Sequence, residues 1–178
     1  MLDLLERHGM LATFFVVGRY VRARPELVRR MARAGHEVGN HTYDHVDAAH
    51  ERDEDVLRDQ LARTSEAIEA ATGTPPRLVR PPYGKDVCRV ARLGSETGLE
   101  PTVLWSVQAW DWDVTPAEEI AGHVLRGVEP GAIVLLHDGS PPGEDRSSEP
   151  TVVALETILP ALRAEGYEAV TVSALLAA

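Results

Sequence analysis

Two hydrophobic periodicities alternate along this chain. Short apolar runs, β-branched and aromatic, are separated by longer stretches whose apolar positions recur every three or four residues. Met1 to His8 predicts a helix with Leu2, Leu4 and Leu5 inward and Gly9 as its stop. Ala12 to Val17 predicts a buried strand. Pro25 suits a first helical position, and Leu27, Val28 and Met31 form the stripe of a helix ended by Gly35. His36 to Asn40 is the next short strand. Asp53 to Thr72 is the longest helix, with Leu57, Leu61 and Ile68 on one face and Gly73 as its stop. A strand at Arg77 to Arg80, a helix at Asp86 to Thr97 and a strand at Thr102 to Val107 follow. Thr115 is placed to cap a helix at Pro116 to Arg126. Gly131 to Leu136 is an almost wholly apolar strand, and Gly139 to Glu149 a polar loop. Thr151 to Ala164 predicts a helix interrupted or kinked near Pro160. Tyr167 to Val172 is the last strand, with Ser173 capping a final turn.

This alternation of helix and strand implies an α/β fold with a parallel sheet covered by helices. A barrel and a doubly wound open sheet compete. The open sheet gathers its chemistry at one switch point, whereas a closed ring accepts it at the end of every strand. Polar residues follow four successive strands here: His41 and His45, then Arg80, then Asp111, then His137 and Asp138. That distribution favours the barrel. A ring that opens on a helix lacks the strand from which that helix would cross over.

Composition narrows the choice of partner. A length of 178 residues fits one domain with a sizeable core, and a net charge of −10 argues against nucleic acid. Cys88 is the only cysteine, which excludes an internal disulfide and leaves it as a small core or boundary residue. No segment is long and apolar enough to span a membrane, and no signal-peptide pattern opens the sequence. The chain as written reads as cytoplasmic, and as secreted or cell-envelope if the true N-terminus lies upstream. Its oligomeric state is left open.

The strand-end motifs carry the candidate chemistry. HTYDH spaces His41 and His45 four residues apart, so on a helical turn both imidazoles share a face and can grip one metal ion. The alternative is a pair of surface histidines, and the strand-end position favours the metal. His36 and His50 read as structural. In RPPYG, Pro81 and Pro82 stiffen the chain after Arg80, aiming its guanidinium at a carboxylate and fixing the Tyr83 N–H for an oxyanion. A Pro-rich turn with a surface Arg is the plainer reading. WDW offers Trp110 and Trp112 for stacking on sugar or for packing. In LLHDG, His137 suits a general acid whose imidazolium a carboxylate such as Asp111 stabilises, or else a core histidine bonded to a carbonyl.

Taken in order, HTYDH, RPPYG, the Asp-Trp pair and LLHDG resemble the motifs of polysaccharide deacetylases with the NodB homology domain, carbohydrate esterase family 4. ATFFVVG, GHEVGNH, PGAIVLLHDG and GYEAVTVSALL resemble the family framework, so the likeness spans residues 1–178 as a single domain. It implies a distorted (β/α) TIM-like barrel with its first strand missing. It also implies metal-dependent hydrolysis of N-acetyl groups of chitin-like sugars or peptidoglycan, or of O-acetyl groups of xylan. The implied cofactor is zinc, with cobalt, nickel and manganese as alternatives. The resemblance makes His41 and His45 metal ligands and has Arg80 orient the catalytic base. Tyr83 N–H completes the oxyanion site, Asp111 tunes the acid His137, and Trp112 and Leu135 line the acetyl pocket. The partner implied is an acetylated carbohydrate.

One departure is large. The family's Thr-Phe-Asp-Asp motif supplies the general base and the third metal ligand, and no Asp-Asp pair occurs in this sequence. Asp3 and Asp44 are not substitutes. A start codon assigned too late, a truncated remnant and a non-catalytic sugar-binding protein are the three explanations, and the first keeps the remaining motifs meaningful. Hydrolysis of a small amide by a related barrel is a further alternative.

Overall fold

The computed structural model describes residues 1–113 and 116–178. They fall into two compact units, one made of residues 13–104 and the other of residues 1–12 with 105–178. Thr115, expected to cap a helix, lies outside the described residues.

In the unit of residues 13–104, β1 (Thr13–Val16) pairs in parallel with β2 (Glu37–Asn40), Phe14 opposite Val38 and Val16 opposite Asn40. The ladder continues through single bridges, Asn40 to Val79 and Val79 to Thr102. The expected strand at Arg77 to Arg80 is thus an extended segment with Val79 as its single bridge residue, not a full strand. Helices α2 (Gly18–Ala23), α3 (Pro25–Arg33), α4 (Glu54–Thr72) and α5 (Val87–Ser95) belong to this unit. α2 has no counterpart among the expected elements, because its six residues are too few to show a period. Asp53 caps α4 by accepting from Asp55 N at 2.9 Å. Leu57, Leu61 and Ile68 are each 1 % exposed, as the stripe required. They pack in two clusters: Leu57 and Leu61 with Val79, Val90, Leu93 and Leu99, and Ile68 with Val21 and Val28. Leu27 leaves the expected stripe and is exposed, because Val28 and Met31 take the inward positions of α3. Cys88 is exposed on α5 and is not a core residue.

The other unit holds α1 (Leu2–His8), β3 (Val107–Gln108), α6 (Ala117–Gly127), β4 (Val134–Leu135), α7 (Glu149–Ala164) and α8 (Val172–Leu176). β3 and β4 pair in parallel, Val107 opposite Val134. Both are shorter than expected. The Ile133 carbonyl accepts from Ser106 N and Val107 N together, at 3.0 and 3.1 Å, and this shared acceptor marks a bulge that ends the ladder. The expected strand at Thr102 to Val107 is thereby divided, with a bridge at Thr102 and paired strand from Val107. Pro160 sits within α7 without interrupting it, and Ile120, Val124, Leu155, Ile158 and Leu159 form the buried seam of α6 and α7. Residues 167–171 form no strand, although Leu11 N donates to Ala169 O at 2.9 Å. The final turn is capped by Thr171, which accepts from Ala174 N; Ser173 lies inside it.

Candidate active site

The first cluster of site residues lies just after β2. HTYDH is not a helical turn: Thr42 and His45 adopt left-handed backbone, φ 62° and 59°. Non-glycine residues rarely occupy that region, and they do so where surrounding bonds over-determine them. Those bonds are present. Asn40, 0 % exposed, accepts from Thr42 N at 2.9 Å and donates to Leu61 O and Ser65 Oγ. Gly18 N and Arg19 N donate to the carbonyls of Thr42 and Tyr43, each at 3.0 Å. Gly18 has to be glycine, because a Cβ there would lie 2.6 Å from both Thr64 Oγ1 and Tyr43 Cδ2.

The result is convergence of the two imidazoles. His41 and His45 meet edge to face with centroids 4.9 Å apart. His41 Nδ1 lies 2.6 Å from Arg80 O; a carbonyl only accepts, so Nδ1 carries a proton, and in the neutral ring Nε2 holds the lone pair. A metal-binding histidine uses that arrangement, its second nitrogen tied to a carbonyl. Two imidazoles sharing a tetrahedral zinc at roughly 2.0–2.1 Å have centroids about 5 Å apart. The pair therefore fits two ligands of a zinc site. Among the described residues no group of three potential metal-ligating side chains occurs.

Arg80 and Tyr83 flank this pair. Arg80 is buried and lies 4.3 Å over the Phe15 ring. Its Nε donates to Val103 O at 3.3 Å and its Nη2 to Leu104 O at 2.9 Å. Burial lowers its pKa to about 10, which still leaves a cation at neutral pH. RPPYG is extended only at Pro81; Pro82 to Gly84 turn as a 3-10 segment with Tyr83 at φ 59°. Tyr83 packs its ring edge-on against His45 at 4.8 Å. His36, read as structural, is buried edge-on to Phe14 at 5.3 Å, and burial lowers its pKa. His50 lies on the surface, paired with Asp47 at 3.0 Å.

The second cluster belongs to the other unit. Asp111, its side chain 1 % exposed, accepts from His137 Nδ1 at 2.8 Å and His137 N at 2.6 Å. Thr151 Oγ1 donates to the same carboxylate at 2.9 Å. His137 thus has its Nδ1–H fixed while its side chain stays 39 % exposed. Trp110, at φ 60°, and Trp112 hold their rings 5.8 Å apart, and both are exposed. Leu135 is buried on β4. Thr151 was absent from the sequence reading. Its only signal is a polar residue in the first turn of an apolar helix.

Residues 1–102 match the polysaccharide deacetylase family model. The chain is 44 % identical over 174 residues to a chitooligosaccharide deacetylase of Bradyrhizobium sp. (strain ANU 289), covering 94 % of this chain and 78 % of the relative. It is 42 % identical to a peptidoglycan-N-acetylglucosamine deacetylase of Bacillus cereus, covering 98 % and 79 %. A carbohydrate esterase family 4 pseudoenzyme from Bacillus anthracis superposes with TM-score 0.86 at 33 % identity, covering 98 % of this chain and 58 % of that one. A mutant of that pseudoenzyme has restored enzymatic activity. The chain belongs to the polysaccharide deacetylase family. It has the α/β fold of NodB-type deacetylases, although among the described residues the strand ladders do not close into a ring.

Proposed function

We propose that this chain carries the machinery for metal-assisted removal of N-acetyl groups from glucosamine-containing polymers or oligomers, such as chitooligosaccharide or peptidoglycan. The observation that carries the reading is a shared feature of the two clusters. His41 and His137 are both held by Nδ1, which leaves Nε2 as the working atom, but their partners differ. A carbonyl fixes the Nδ1–H tautomer without adding charge, which leaves Nε2 of the neutral ring for a cation. A carboxylate stabilises an imidazolium, the form that donates a proton.

His41 and His45 would hold a divalent cation, with zinc suited to imidazole nitrogen and cobalt, nickel or manganese as alternatives. When bound, that ion supplies Lewis acidity toward an acyl oxygen and water. Tyr83 N–H is the candidate donor to the oxyanion. His137 gives the proton from Nε2 to the leaving amine, and Asp111 holds the ring in place through Nδ1. Trp112 and Leu135 are the candidate walls for the acetyl methyl, and Arg80 the cation that orients a general-base carboxylate.

A second reading, a carbohydrate-binding protein without catalysis, is favoured by one observation. The 178 residues contain no Asp-Asp pair, so the family's general base and third ligand have no counterpart in them. Loss of a general base costs about 10²–10⁴-fold. With zinc and N-acetylglucosamine oligomers, the 178-residue chain is expected to bind the sugar and release little or no acetate. Trp112→Ala is expected to weaken that binding. Robust metal-dependent acetate release would show that another carboxylate serves as base, and failure to bind the oligomers would sink the carbohydrate reading.

A further inference from the structure

We infer that Gln60, in the second turn of α4, is the positioning residue that sets the geometry of the two-histidine segment. The inference rests on the reading of His41 and His45 as zinc ligands. Between the two left-handed residues Thr42 and His45, the chain must aim the amides of Tyr43 and Asp44 in one direction. Among the described residues no main-chain carbonyl receives them. Gln60 does: its Oε1 accepts from Tyr43 N at 2.9 Å and from Asp44 N at 2.7 Å. Its Nε2 donates to Asp44 Oδ2 at 3.0 Å. Both lone pairs of the amide oxygen are used on main chain, and the side chain is 7 % exposed.

The opposite edge of the same segment is held by α2, through Gly18 N and Arg19 N to the carbonyls of Thr42 and Tyr43. The peptide planes between the histidines are therefore fixed from both sides, the carbonyls by α2 and the amides by Gln60. Each imidazole hangs from one end of this fixed stretch. With the Gln60 anchor gone, the segment is free to relax toward ordinary backbone. The 4.9 Å approach of the rings would then be one conformer among several. A buried glutamine serving only α4 would not need its oxygen turned to two loop amides.

The test is zinc affinity by calorimetry on the full chain, with melting temperature measured in parallel. Four proteins are compared: wild type, His41→Ala, Gln60→Leu, and the exchanged pair Gln60→Glu with Asp44→Asn. The exchange restores the side-chain bond with its polarity reversed, an amide at position 44 donating to a carboxylate at position 60, which still accepts both main-chain N–H groups. Gln60→Leu is expected to weaken zinc binding about tenfold, and the exchanged pair to recover to within about threefold of wild type. Should Gln60→Leu not fold, the exchanged pair alone decides, since it retains the anchor. A Gln60→Leu protein that melts lower yet binds zinc like wild type, while His41→Ala is weakened, would overturn the inference alone; so would an exchanged pair as weak as His41→Ala. Equal zinc affinity in wild type and His41→Ala would overturn the underlying zinc site and the inference with it.

Discussion

The two clusters of site residues solve the same problem, aiming an imidazole, by different means. Around His137 the means are side chains. One carboxylate, shielded from solvent, takes the ring N–H, the main-chain N–H of the same histidine and a threonine hydroxyl. Around His41 and His45 the means are main chain. Two left-handed residues bend the segment, a carbonyl fixes one ring, and the amides of Asn40 and Gln60 hold the bend. The difference matches the proposed work. A proton donor needs a counter-charge beside it, and in the proposed reading Asp111 would be that charge. A pair of neutral ligands needs fixed direction and a cation to supply the charge.

The largest expected effect lies in the cluster around His137. Asp111→Ala leaves the part-buried His137 main-chain N–H and the buried Thr151 hydroxyl without their acceptor. The expected destabilisation is about 3 kcal/mol, read from chemical denaturation with an unchanged slope. A loss under about 0.5 kcal/mol, the size of a surface change, would mean the carboxylate does not organise this cluster. The two clusters would then not differ in the way described.

How much of this was legible in the sequence follows the same division. His137, Asp111, His41, His45 and Arg80 stand out because each polar residue follows an apolar run, and an apolar run before a polar residue is a one-dimensional signal. Gln60 and Thr151 carry no such signal. Their partners lie 16 or 17 and 40 residues away, and a glutamine within a helix reads like any solvent-facing residue. The bend at Thr42 and His45 was also hidden, since neither is glycine. The expected helical turn was wrong about backbone, although the rings converge. Arg80 was expected to present its guanidinium to a carboxylate; the bonds to Val103 and Leu104 carbonyls depend on a third segment that spacing alone does not place. Strand lengths were overstated for a related reason. Hydrophobicity marks burial, whereas a ladder also requires register, and the shared Ile133 carbonyl ends one early.

His36 sharpens the comparison from the other side, as a histidine whose ring serves packing. Burial lowers its pKa from the ordinary value of 6.5. Well above that value the residue is neutral in folded and unfolded chain alike, and it adds no pH dependence. As pH falls below it, the unfolded chain takes up the proton first, so stability declines. His36→Phe, which keeps a ring against Phe14, is expected to remove that part of the decline. The stability difference between variant and wild type should therefore move in favour of the variant between about pH 7 and pH 5. A difference that stays constant across that window would mean His36 is protonated equally in both states. This effect is the smaller of the two, because it depends on one ring and one proton.

The central claim is that His41 and His137 present Nε2 for different work, one as a cation ligand and one as a proton donor. The most direct test is a long-range proton–nitrogen spectrum of the histidine rings, recorded on the full chain before and during zinc addition. Without zinc, at a pH where the rings are neutral, His41 and His137 are expected as the Nδ1–H tautomer. With zinc, the Nε2 resonance of His41 and the ring nitrogens of His45 are expected to shift, while those of His137 and His50 stay in place. An Nε2–H tautomer at His41, or zinc shifts that fall on His137 or His50 and spare His41 and His45, would contradict the account.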